Sequence, residues 1–152
     1  NYPNLIITRT FSKAWGLASL RVGYSFSHPD IADLLNRVRQ PFNVDTFALE
    51  AATAVLADEA YIEKSRKTNS DGMQQLVSGF EKLGLEYIPS VGNFVTFDTG
   101  QDGVAVYQSL LKEGVIVRPV ANYGMARHLR VSIGLQVENE RFLSALERVL
   151  GN

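Results

Sequence analysis

The chain has 152 residues, 45% of them hydrophobic and 20% charged, enough for one folded domain or for a piece of a larger protein, and too apolar for a disordered one. Fifteen Lys and Arg against sixteen Asp and Glu leave a net charge of −1, so no basic surplus favours nucleic acid or an anionic membrane as partner. Cysteine is absent, which excludes disulfides, thiol catalysis and Cys-ligated metal, and two histidines, His28 and His128, argue against a His-based metal site and read as surface or turn residues.

The chain opens on Asn1-Tyr2-Pro3-Asn4, without an initiator methionine, and enters an apolar stretch at once. Leu5-Ile6-Ile7-Thr8 is apolar and β-branched and predicts a buried strand, of the kind found in the middle of a sheet. Its sheet neighbours must come from elsewhere, so the chain is expected to be a fragment; without them Leu5, Ile6 and Ile7 would form an exposed edge prone to association. Arg21–Phe26 predicts a second short strand. Ile31, Leu34, Leu35 and Val38 recur at helical spacing behind Pro29, a residue suited to a first turn, and Pro41 closes that helix. Asp45 is placed to cap the next helix, whose face carries Phe47, Ala48, Ala51, Ala52 and Val55; its alanines permit close approach of a neighbour.

From Tyr61 to Leu83 the pattern is one long helix, polar in its first half and then apolar at Met73, Leu76, Val77 and Phe80, with Gly84 placed to end it. Strand (Asn93–Asp98), helix (Val104–Glu113), strand (Val115–Arg118), strand (Leu129–Ile133) and helix (Glu138–Leu150) follow. Helices on one side of a mostly antiparallel sheet make a compact α+β unit. The boundary between the two parts is expected along the long helix, near residues 58–70, giving parts 1–60 and 61–152. No apolar run reaches the ~18 residues of a membrane span and no signal peptide opens the chain, so a cytoplasmic protein is expected.

The stretch that carries chemistry is Thr10-Phe11-Ser12-Lys13-Ala14-Trp15-Gly16-Leu17-Ala18-Ser19-Leu20-Arg21-Val22-Gly23-Tyr24. It is a turn beyond a strand end, where ligands of open α/β sheets bind. Two hydroxyls and an arginine suit a phosphate, and a lysine amine that is partly desolvated and near cations is a competent Schiff-base nucleophile. Trp15, Tyr24 and Tyr123 read equally as packing residues and as ligand walls.

This stretch resembles the S-x-S-K motif, with its following arginine, of fold-type I pyridoxal-phosphate (PLP) enzymes, and more narrowly the TFSKA-x-GLAGLR-x-GY segment of histidinol-phosphate aminotransferases. Arg21 follows Lys13 by eight positions, as in that family; Ser19 stands where the family has a glycine. The resemblance implies that Lys13 is the catalytic, cofactor-binding lysine and that Thr10, Ser12 and Arg21 hold the cofactor phosphate. It extends to Gly114-Val115-Ile116-Val117-Arg118-Pro119 and His128-Leu129-Arg130-Val131-Ser132-Ile133-Gly134, similar to the family's GV-x-VRP…LR-[VI]-[ST]-[IV]-G. Arg130 there implies the grip on the substrate's anionic group, the α-carboxylate of glutamate in one half-reaction and the phosphate of a phosphorylated amino alcohol in the other. Arg118 is a second candidate for that pocket. A structural ion pair is the alternative role for each arginine. Asn93, in Ser90-Val91-Gly92-Asn93-Phe94-Val95, matches S-x-x-N-F-V, where the asparagine opens the small-domain strand facing the active site; a turn residue is its alternative role. Arg37–Val44 resembles a stretch that family members place at a dimer interface.

The fold so implied is α/β: the end of a large PLP-binding domain's sheet (1–60, incomplete) and a complete small α+β domain (61–152). The activity implied is transamination between histidinol phosphate and 2-oxoglutarate by a homodimer. The aspartate that the family places at the pyridinium nitrogen is not among these residues, since Asp30, Asp33 and Asp45 all follow the lysine. The 152 residues alone are therefore expected to be inactive. Threonine-phosphate decarboxylation and aromatic amino-acid transamination are alternatives on the same scaffold, and an excised folding or interaction domain is the non-enzymatic one.

Overall fold

A computed structural model describes residues 2–151. The chain divides into two compact units, one running up to Arg66 and the other from Lys67 onward.

In the first unit, β1 (Ile6–Thr10) pairs antiparallel with β2 (Gly23–Ser27), from Ile6 opposite Ser27 to Thr10 opposite Gly23. β1 is not buried, contrary to the sequence expectation. All five of its residues are exposed, because a ribbon of two strands has no second layer to bury either face. The second strand also begins later than expected. Arg21 adopts a left-handed backbone, φ 52°, at the end of a 3₁₀ turn over Ala18–Leu20, and extended pairing resumes at Gly23. α1 (Pro29–Val38) has Pro29 in its first turn and leaves Leu34, Leu35 and Val38 exposed. α2 (Thr46–Leu56) is capped by Asp45, whose Oδ1 accepts from the Ala48 N–H at 2.9 Å. The small core of this unit is Phe11, Val22, Ala48 and Ala52, with Trp15, Leu17, Leu20, Val44 and Val55 packed around it.

α3 (Glu59–Lys82) ends at Gly84, φ 68°, where the Gly84 N–H donates to the Glu81 carbonyl at 3.2 Å and the Leu85 N–H to the Phe80 carbonyl at 2.9 Å. Glycine takes that conformation without the Cβ penalty, and the two bonds satisfy carbonyls at the helix end. The second unit is built on a four-stranded antiparallel sheet of β3 (Tyr87–Ile88), β4 (Phe94–Asp98), β5 (Arg118–Pro119) and β6 (His128–Ser132), in the order β3-β4-β6-β5. α4 (Gly103–Lys112) and α5 (Gln136–Leu150) complete it. Val95 and Phe97 lie opposite Val131 and Leu129, and this face is covered by Leu76 and Phe80 of α3, Val106 and Leu110 of α4, and Phe142, Ala145 and Leu146 of α5. Phe80 stacks on Phe97 at 4.6 Å, and Phe142 meets both rings edge-on.

The strand expected at Val115–Arg118 is displaced toward the C-terminus. Val115 is drawn into the close of α4, its N–H donating to the Leu110 carbonyl at 2.9 Å behind left-handed Gly114, so ladder pairing is limited to Arg118 and Pro119. β3 was not expected at all; a two-residue strand leaves too short a pattern to register.

Candidate active site

The lysine turn is built from both sides. Phe11 and Val22, which close it, are buried, and the Phe11 N–H donates to the Val22 carbonyl at 3.2 Å. Trp15, Leu17 and Leu20 pack beneath it toward Ala48 and Ala52 of α2, where small side chains let the turn lie close. Gly16 turns the chain at φ 72°, and its N–H bonds the Lys13 carbonyl at 2.9 Å. A Cβ at Gly16 would lie 2.6 Å from the Tyr61 hydroxyl, so Tyr61 occupies the space that glycine leaves.

Of the residues singled out from the sequence, Thr10, Lys13 and Arg21 are exposed and Ser12 is half-buried. Thr10 ends β1, and its Oγ1 accepts from the Ser12 N–H at 3.1 Å, which shapes the turn before Lys13. Lys13 is exposed, so these residues do not supply the partial desolvation expected for it. Arg21 folds back over the 3₁₀ turn, its Nη1 donating to the Ala18 carbonyl at 2.5 Å, and has no carboxylate partner among the described residues. No Asp or Glu precedes Asp30 in the sequence. The turn thus offers an amine, two hydroxyls and a guanidinium with no acid among them. That donor set fits a phosphorylated carbonyl compound: cation and hydroxyls for the phosphate, amine for the carbonyl. Trp15 is a packing residue, with its ring 6.1 Å from Phe11, while Tyr24 lies between Phe11 and Phe26 at 5.5 and 5.2 Å. Tyr123 sits exposed in a 3₁₀ turn after β5.

In the second unit, Arg130 projects from the sheet face opposite to its core neighbours Leu129 and Val131. Its partners in register are Thr96 on β4 and Arg118 on β5, so both candidate arginines stand side by side on the face away from the helices. Neither has a carboxylate partner among the described residues. Among the described residues the ion pair that was their alternative role is not seen, and two cations directly opposed across a strand pair repel each other. Arg130 does have an aromatic neighbour: its Cζ lies over the Phe94 ring, 4.6 Å from the centroid. Asn93 is exposed just before β4, and its carbonyl accepts from the Ile133 N–H at 2.9 Å.

One ion pair of this unit was not expected from the sequence. Arg127 donates through both Nε and Nη2 to Asp98 at the end of β4. These bonds hold the Asp98 carboxyl below its ordinary range despite its partial burial, helped by the Gly100 N–H at 2.8 Å. Twenty-nine residues separate the partners, so no local spacing reveals them. His28 serves as an N-cap of α1, in keeping with a turn histidine. His128 is half-buried at the start of β6 rather than on the surface, with its Nδ1 buried and unbonded among the described residues. In the Arg37–Val44 segment, Phe42 has φ 56° and is almost wholly exposed.

Comparison with known proteins places this geometry in a family. The model of the aminotransferases of class I and II matches residues 1–146. The histidinol-phosphate aminotransferase 2 of Pseudomonas fluorescens is 64% identical over 149 residues, covering 98% of this chain and 40% of that protein. Among solved structures, the histidinol-phosphate aminotransferase from Clostridium acetobutylicum superposes with a TM-score of 0.92 at 29% identity, over 100% of this chain and 47% of the other. The enzyme of the same name from Sinorhizobium meliloti, solved in complex with pyridoxal-5'-phosphate, gives 0.87 at 33% identity, over 98% and 42%. The chain spans about 40% of the length of the curated relatives it matches. Its fold is that of the fold-type I aminotransferases, and the chain belongs to the class I and II aminotransferase family.

Proposed function

We propose that this chain is the C-terminal portion of a cytoplasmic, PLP-dependent aminotransferase that moves the amino group of histidinol phosphate to 2-oxoglutarate. The observation that carries the reading is the acid-free turn that sets the exposed Lys13, Thr10 and Arg21 beside a half-buried Ser12 over a packed floor. The names and identities of the relatives support the choice of substrate.

When bound, pyridoxal phosphate supplies a ring that accepts electron density from the substrate Cα. Lys13 Nζ would hold the cofactor covalently and, when free, would carry the proton between the substrate Cα and the former aldehyde carbon of the cofactor. The Thr10 and Ser12 hydroxyls would hold the cofactor phosphate, and Arg21 would balance its charge. Arg130, with Arg118 beside it, receives the anionic group of each substrate in turn, and Asn93 contributes to the same pocket. The planar fork of an arginine accommodates a carboxylate or a phosphate equally well. The exposed apolar residues of α1, with Phe42 and Phe47, support a homodimeric assembly.

The test is a product assay on the full-length protein supplied with pyridoxal phosphate, histidinol phosphate and 2-oxoglutarate. One glutamate formed per histidinol phosphate consumed is the expected result. Carbon dioxide release from a phosphorylated amino acid, or faster turnover of an aromatic amino acid, would overturn the substrate assignment.

A further inference from the structure

We propose that Phe94 is a positioning residue for Arg130, holding the guanidinium against its ring in the orientation in which it meets the substrate's anionic group. The inference rests on the role proposed above for Arg130.

Arg130 stands on a sheet face without an acidic partner for it among the described residues. Left to itself, a long side chain of this kind samples many rotamers and must be ordered when a ligand arrives. Two features of the sheet restrict it beforehand. Arg118, opposite in register on β5, repels it from one side, and Phe94 on β4 attracts it from the other, with Cζ 4.6 Å from the ring centroid. Contact with the ring consumes no N–H donor, whereas a carboxylate partner would occupy the fork. The guanidinium is therefore held and its hydrogen-bonding edge stays available to a ligand.

Phe94 is itself well seated. The ring lies against Gly92, where an added Cβ would come within 3.5 Å of it. Gly92 is tied from both sides: its carbonyl accepts from Asn69 Nδ2 of α3 at 3.2 Å and its N–H donates to Ser90 Oγ at 3.1 Å. Burial does not account for an aromatic here, because Phe94 is 36% exposed on the face opposite the core. A ring that faces a cation does.

The experiment is calorimetric titration of the full-length, cofactor-loaded protein with glutarate, a dicarboxylate that cannot react. Phe94 is replaced by mono-, di- and trifluorinated phenylalanine, which drain the ring's electron density with little change of shape. The Kd for glutarate is expected to rise with each fluorine, by about threefold across the series, as for a partly exposed cation–π contact. Phe94→Leu should match the trifluorinated ring and Phe94→Tyr should restore binding, with KM for the amino donor following Kd and kcat unchanged. A Kd independent of fluorination overturns the positioning role. Arg130→Leu, measured alongside, separates the two levels. If it weakens glutarate by about tenfold or more while the fluorine series stays flat, only the role of Phe94 fails. If it leaves glutarate binding intact, the role of Arg130 fails as well, and with it the inference.

Discussion

Arg21 is one of two non-glycine residues in the described chain with a positive φ, at 52°. An L-residue in that region costs roughly 1–3 kcal/mol, and such strain collects at functional sites. Here it turns the side chain back over the 3₁₀ turn at the rim of the lysine loop. Arg21→Gly is therefore expected to separate stability from function. The full-length variant should unfold at a urea concentration equal to or above that of the parent, while its affinity for pyridoxal phosphate falls by roughly tenfold or more, the worth of a hydrogen bond to a charged group. Urea unfolding and an absorbance titration check the two halves; unchanged cofactor affinity would remove Arg21 from the site. The identity of Arg21 as a candidate was legible in the sequence because its spacing from Lys13 is a motif. Its backbone was not, since a non-glycine residue gives no local sign of a left-handed conformation and Arg-Val-Gly-Tyr alternates as a strand does.

At the scale of elements, helical periodicity and end signals were the most legible features. Asp45 caps α2 and Gly84 ends α3 as expected, because caps and left-handed glycines act within a few residues. Arg130 on a strand, facing away from Leu129 and Val131, was likewise readable from alternation. Pairings between distant elements were not. The Arg127–Asp98 pair ties the start of β6 to the end of β4, and it makes a pH-dependent contribution with a definite sign. Arg127 lowers the Asp98 carboxyl below its unfolded value, so the stabilisation is complete above that value, about 4, and is lost as pH falls through the folded one. Asp98→Asn should lower the urea midpoint of the full-length protein modestly at neutral pH and flatten its decline in acid. The effect is small because Arg127 is open to solvent, which screens the pair. Parallel acid profiles for parent and variant would contradict this.

For the whole molecule, the apolar surfaces left open are as informative as the core. Ile6 and Ile7 of β1, and Leu34 and Val38 of α1, are all at least 40% exposed, a pattern that marks surfaces made for contact. The sequence foretold the exposed β1 edge as the outcome for a strand lacking its sheet neighbours. Since the chain spans about 40% of the relatives' length, the 152-residue polypeptide on its own is expected to give no measurable transamination and to self-associate at micromolar concentration. An activity assay paired with size-exclusion chromatography checks both, and turnover by a monomer would refute the expectation.

Identification of the lysine that binds the cofactor tests the role of Lys13 most closely. The full-length protein is loaded with pyridoxal phosphate, reduced with borohydride and digested, and the labelled peptide is located by mass spectrometry. The expected result is a single label on Lys13, in the peptide that contains Phe11-Ser12-Lys13-Ala14-Trp15, and no label in Lys13→Ala. Label on another lysine, or a Lys13→Ala protein that still forms a reducible adduct at one defined position, would contradict it.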